Sequence, residues 1–99
     1  MNKVIEQAYK LHNDWRSEML ADGFSQDMIW RLENGELPEV EVGEVCELGD
    51  IWDGEGETPE ESYSYKLTDM DWINYVFETV EENETNWKTT IKVTGIELL

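Results

Sequence analysis

Carboxylates stand at positions 33, 36, 39, 41, 44, 47, 50, 53, 55, 57, 60 and 61, and no lysine or arginine interrupts them. Such a run admits three kinds of chemistry: acid–base work by a carboxylate pair, coordination of a hard cation, or electrostatic recognition of a basic surface. The 99-residue chain carries 24 acids and 7 bases, a net charge of −17. Residues 1–32 hold five acids and four bases, residues 33–65 twelve acids and no base, and residues 66–99 seven acids and three bases. Adaptation to high salt would spread the acids evenly. Their concentration in one third of the chain points to a local use.

Catalysis finds little support. With 24 acids, some pair of carboxylates is always close, so proximity alone carries no specificity. His12 and Cys46 are the single histidine and cysteine. Cys46 falls on the apolar side of a strand pattern, and the acids around it disfavour a thiolate; it reads as a structural residue. Gly54 and Gly56 lie among carboxylates that would repel a phosphate. No enzyme activity and no cofactor are expected.

Asp50, Asp53, Glu55 and Glu57 are the oxygen ligands that Ca²⁺ favours, and a Ca²⁺-binding acidic module is one reading of them. An EF-hand loop fails in both registers. Counted from Asp50, the third position is Trp52; counted from Asp53, the glycine position is Thr58 and the twelfth is Ser64. No dedicated metal site is expected.

Electrostatic recognition fits the spacing better. On a strand, alternate residues project from one face at intervals of roughly 6.6 Å, whereas phosphates along one DNA strand advance ~3.4 Å. Carboxylates at every second or third position therefore give a comparable linear charge density. The candidate partner-binding residues are Glu39, Glu41, Glu44, Glu47, Asp50, Asp53, Glu55, Glu57, Glu60 and Glu61, with Trp52 as an apolar anchor among them. The expected partner is a basic, nucleic-acid-binding protein. Direct binding of nucleic acid or of an anionic membrane is not expected, because like charges repel.

These residues need a scaffold. Val4, Ala8, Leu11, Trp15 and Met19 recur at steps of three and four, which predicts an amphipathic helix ending at Asp22-Gly23. Ser25 as N-cap and Asn34-Gly35 as stop predict a second helix of about nine residues, with Met28, Ile29 and Leu32 inward. From Pro38 the period changes to two. Val40, Val42, Cys46 and Leu48 share one face, with a bulge or kink at Gly43. "SYSYKL" places Tyr63 and Tyr65 together, Ile73, Tyr75 and Phe77 alternate, and a turn at Glu82-Asn83-Glu84 precedes Trp87, Ile91 and Val93. The apolar phase flips at Gly95, as a bulge would cause.

The expectation is one α+β domain over residues 1–99: two N-terminal helices within residues 1–35, then a roughly four-stranded antiparallel curved sheet or small partly open barrel over residues 36–99. Residues 49–62 form its acidic loop. Ile73, Tyr75, Phe77, Trp87, Ile91 and Val93 should lie inside. No apolar run approaches the ~20 residues of a membrane span. The first residues lack the pattern of a secretory leader, and a lone cysteine fits a reducing cytoplasm.

Two resemblances follow from these residues. "GFSQDMIWRLENGELP", from Gly23 to Pro38, resembles a compressed phage-repressor helix-turn-helix. The segment between its two helices is missing, and Glu33, Glu36 and Glu39 replace the basic residues that would meet phosphates. In size, charge, Trp/Tyr content and dense carboxylate run, the chain as a whole resembles the small acidic DNA-mimic inhibitors of phages and mobile elements: anti-CRISPR proteins, uracil-DNA glycosylase inhibitors and antirestriction proteins. That resemblance implies an inhibitor seated in the nucleic-acid groove of a host defence or DNA-processing enzyme, a CRISPR effector first among them, since its channels are basic. The alternative is a phage or plasmid accessory module that binds a basic protein surface without displacing nucleic acid.

Overall fold

A computed structural model describes residues 3–32 and 37–99. The amphipathic repeat forms helix α1, Lys3–Ala21, with Ile5, Ala8 and His12 buried. Its end is set by Gly23 at φ +98. Phe24 N–H donates to Met19 C=O and Gly23 N–H to Leu20 C=O, at 3.1 and 3.2 Å, so the last carbonyls find partners through a left-handed residue that glycine adopts without strain.

Among the described residues four strands follow: β1 Val45–Glu47, β2 Ser62–Lys66, β3 Trp72–Glu81 and β4 Thr90–Leu98. They form one antiparallel open sheet in the order β1-β4-β3-β2. The domain is α+β, and its sheet is not a closed barrel. Ile73, Tyr75 and Phe77 of β3 and Ile91 and Val93 of β4 face the core, joined by Ile5 and Ala8 of α1 and by Leu37, Val40, Leu48, Ile51, Trp52 and Leu67. Full burial of each such aliphatic side chain is worth roughly 1.5–3 kcal/mol. The register shifts between Val76 and Phe77, whose partners are Gly95 and Val93, leaving Thr94 as the extra residue. The phase flip at Gly95 is therefore a bulge.

His12 ties the layers together. It is fully buried; its Nδ1 donates to Leu67 C=O at 2.7 Å, and its Nε2 accepts from Leu32 N–H at 3.2 Å. The ring is thus the neutral, Nδ1-protonated tautomer, bridging α1 to the turn after β2 and to the segment after α1.

Three expectations change. The second helix is absent: Gln26–Met28 is a single 3₁₀ turn, Ser25 makes no side-chain cap, and Ile29 is extended. A helix this short meets the nucleation cost without enough apolar surface to offset it; Met28 stays 71% exposed while Ile29 is buried. The proposed stop at Asn34-Gly35 lies outside the described residues. Val42, expected on the inward face with Val40, is exposed. The irregularity expected at Gly43 is a bulge, in which Gly43, at φ +95, donates to Val93 C=O at 2.7 Å and Val93 N–H donates to Glu44 C=O at 2.9 Å. The tight turn leading into it, closed by Glu44 N–H to Glu41 C=O at 3.0 Å, turns Val42 outward and delays β1 to Val45. Trp87, expected inside, is 55% exposed on the 3₁₀ turn Asn86–Lys88. That turn packs backbone-close against the 3₁₀ turn Leu48–Asp50: a Cβ on Gly49 would lie 3.0 Å from Trp87 O. Contact through the backbone leaves the indole outside.

Candidate functional site

The strand order dictates the course of the acidic run. β1 and β2 are the two edges of the sheet, so residues 48–61 must cross from one edge to the other. They leave β1 through the Leu48–Asp50 turn, where Leu48 N–H donates to Thr89 C=O at 2.8 Å. Ile51 C=O then accepts from Tyr65 Oη on β2. Thr58 Oγ1 accepts from Asn86 Nδ2 at 2.8 Å, and Glu61 C=O from Phe77 N–H at 2.9 Å. The expected acidic loop is anchored at several points along its length.

The carboxylates help shape this path. Glu44 Oε2 accepts from Glu41 N–H at 3.3 Å, Asp50 Oδ2 from Glu47 N–H at 3.0 Å, and Asp53 Oδ1 from Glu55 N–H at 3.0 Å. Glu47 in turn accepts from Asp50 N–H, completing a reciprocal cap on the 3₁₀ turn. Part of the acid content is therefore turn chemistry.

Tertiary structure gathers some of the candidates and separates others. Glu39, Glu44 and Asp50 line one cleft beside β1 with Cys46 and Val45. Asp50 continues into the next hollow with Asp53. Asp53 and Glu55 both act electrostatically on Tyr63, whose phenol is pushed up by burial first and by these two carboxylates next. Glu39, Glu44, Asp50, Asp53 and Glu55 thus form one continuous acidic ribbon, with Glu41 on its adjoining turn. Glu60 and Glu61 stand apart, in a groove of about 520 Å³ with Glu82. Glu47 shares a different hollow with Glu84 and Lys88. Glu57 is exposed in the crossing segment. Among the described residues, the ion pair is Lys10–Asp14 on α1 at 3.3 Å, and no acid of the ribbon has a cationic partner.

Trp52 is not an exposed anchor. It is 5% exposed, packs in the core, and donates from Nε1 to Glu55 C=O at 2.9 Å. Its role is to hold the acidic segment down. The apolar side chains available beside the ribbon are Val42 and Val45, 59% and 57% exposed. The alternating pattern had placed Val42 inward, and only the turn at Gly43 brings it out. Tyr63 was legible as a strand residue, but its place beside Asp53 and Glu55 depends on the crossing.

Cys46 is half-buried, and its thiol is pushed up to about 11 by burial first, then by Asp50 and Glu44. It stays protonated near neutrality, which makes it a poor nucleophile. Among the described residues no three His, Cys, Asp or Glu side chains converge as a metal ion requires, and no helix is long and apolar enough to cross a membrane. Comparison with protein-family models, with curated proteins and with solved structures gives no match.

Proposed function

We propose that this protein is an acidic DNA-mimic inhibitor that occupies the basic nucleic-acid groove of a host defence or DNA-processing enzyme, a CRISPR effector foremost, acting in the cytoplasm. The observation that carries the reading is the ribbon Glu39–Glu44–Asp50–Asp53–Glu55: five carboxylates on an anchored backbone with no neutralising lysine or arginine among the described residues. Fixed like charges without counter-charges are costly for a folded surface, and a basic groove relieves that cost. Single exposed ion pairs contribute only ~0–1 kcal/mol, so the ribbon acts collectively. Its main effects fall on association rate and salt sensitivity.

The test must spare the local caps. Asp50→Asn and Asp53→Asn retain a side-chain acceptor for the N–H groups of Glu47 and Glu55, while Glu39→Lys and Glu55→Lys reverse charge where no side-chain hydrogen bond is involved. The fourfold variant should melt no lower than wild type, since it relieves repulsion and keeps the local caps, yet fail to inhibit a basic nuclease, and DNA should exclude the wild-type protein from that nuclease. Inhibition by the variant at wild-type concentration sinks the proposal. Simultaneous binding of DNA and this protein by the enzyme would favour the accessory-module reading, in which Val42 and Val45 supply the apolar part of a non-displacing contact.

A further inference from the structure

We propose that the end of the sheet at residues 67–71 carries a second docking surface, distinct in its residues from the acidic ribbon: an apolar groove suited to a basic amphipathic segment of another protein. β3 is ten residues long, so the turn at residues 67–71 and the connection at residues 82–89 lie ~30 Å apart at the two ends of the sheet. The Glu60/Glu61 groove and β1 belong to the second end, and the acidic ribbon runs from β1 to Asp53 and Glu55 beside Tyr63 and Tyr65 of β2. At the first end, α1 outruns the sheet beneath it. Its buried residues stop at His12, and Leu11, Trp15 and Met19 are left half-covered. These three and Met70 line a groove of about 370 Å³. Met70 is 86% exposed although it sits between two aspartates on a surface turn.

The apolar surface continues beyond the groove. The Trp15 and Trp30 rings meet at a tilt of 39° with centroids 4.4 Å apart, and Lys66 Nζ lies over both Trp30 and Trp72, 5.3 and 5.9 Å from their centroids. Contiguous exposed apolar surface of this kind marks interaction sites more than solvated faces.

Charge selects the occupant. Asp14 and Glu18 rim the groove from α1, and Asp69 and Asp71 rim it from the turn. Asp71 is fixed by Thr68 Oγ1 at 2.6 Å, and Asp14 shares its charge with Lys10 at 3.3 Å. An apolar floor between two acidic walls matches a segment that presents leucine-like side chains flanked by lysine or arginine. A second copy would bring acid against acid on a chain of net charge −17, and an anionic membrane would meet the same repulsion. This surface does not depend on the acidic ribbon.

The test uses two synthetic helical peptides, one of lysine and leucine at amphipathic spacing and one of lysine and serine, titrated into the isotopically labelled full chain. The Lys/Leu peptide should shift the methyl signals of Leu11, Met19 and Met70 and the indole signal of Trp15. Met19→Ser with Met70→Ser should weaken it about tenfold, and Glu18→Lys with Asp69→Lys should reduce its salt dependence, each at an unchanged melting temperature. The ribbon variant of the preceding section should bind it as wild type does. The Lys/Ser peptide should perturb only the acidic ribbon. Four results overturn the proposal: Lys/Leu shifts confined to residues 39–61, indifference to the two methionine substitutions, concentration-dependent dimerisation that perturbs the same groove without peptide, or binding of phosphatidylcholine vesicles through it.

Discussion

Replacing His12 should cost more than any surface change in this protein, and the magnitude can be worked from its two hydrogen bonds. His12→Leu keeps an apolar side chain on α1 but strands Leu67 C=O and Leu32 N–H, which the imidazole contacts at 2.7 and 3.2 Å. Each buried group left without a partner costs about 1–3 kcal/mol, so the loss is about 2–6 kcal/mol. His12→Asn places an amide nitrogen near the position of Nδ1, recovers the Leu67 bond, and should lose about half as much. For a domain of this size each kcal/mol shifts the melting temperature by about 4–8 °C. Thermal and urea denaturation of the two variants should therefore place them in the order wild type, Asn, Leu, with at least ~8 °C between the extremes. If His12→Leu melts within about 2 °C of wild type, or Asn is no better than Leu, the bridge contributes nothing and α1 is held by apolar packing alone.

Trp52→Ala should destabilise the fold by about 3–5 kcal/mol, as large-to-small core substitutions do, and should raise amide exchange across residues 53–61; a variant that keeps its stability but loses only partner affinity would restore Trp52 as an exposed anchor. The phenol of Tyr75, raised by burial and next by Tyr65 and Tyr9, donates to Pro38 C=O at 3.0 Å. Its folded value lies above the unfolded 10.0, so its contribution is complete below pH 10 and declines as pH rises through and beyond that value, where the unfolded chain releases the proton first. Urea melts between pH 9 and 11 should show a slope that Tyr75→Phe reduces, and equal slopes for both proteins would refute this assignment.

Periodicity carries much of the fold in this sequence. The three-and-four spacing from Val4 to Met19 can bury one side only as a helix, and the alternation through Ile73, Tyr75 and Phe77 can do so only as a strand. Both elements stand where those patterns put them. Gly95 was legible too, because one extra residue necessarily flips the inward face of a strand. The weak patterns failed for a shared reason. Between Ser25 and Leu32 too few apolar residues repeat to set a period, so the chain takes whichever backbone buries Ile29 against its neighbours. At Trp87 and Val42 the alternating pattern named an inward face that does not exist, because both residues lie in turns outside the strands and are exposed.

The candidate site divides in the same way. Its charge is a property of composition, plain in the run from Glu33 to Glu61. Which carboxylates share a surface is a property of strand order. With β1 and β2 at opposite edges, the crossing segment joins Glu39, Glu44 and Asp50 to Asp53 and Glu55 and carries Glu60 and Glu61 away to Glu82. Trp52 is drawn under the segment instead of standing on it, because a hydrophobic indole beside an open core gains more by burial than by exposure. Linear spacing along the chain specifies how much charge there is. Only long-range pairing between strands specifies where that charge faces.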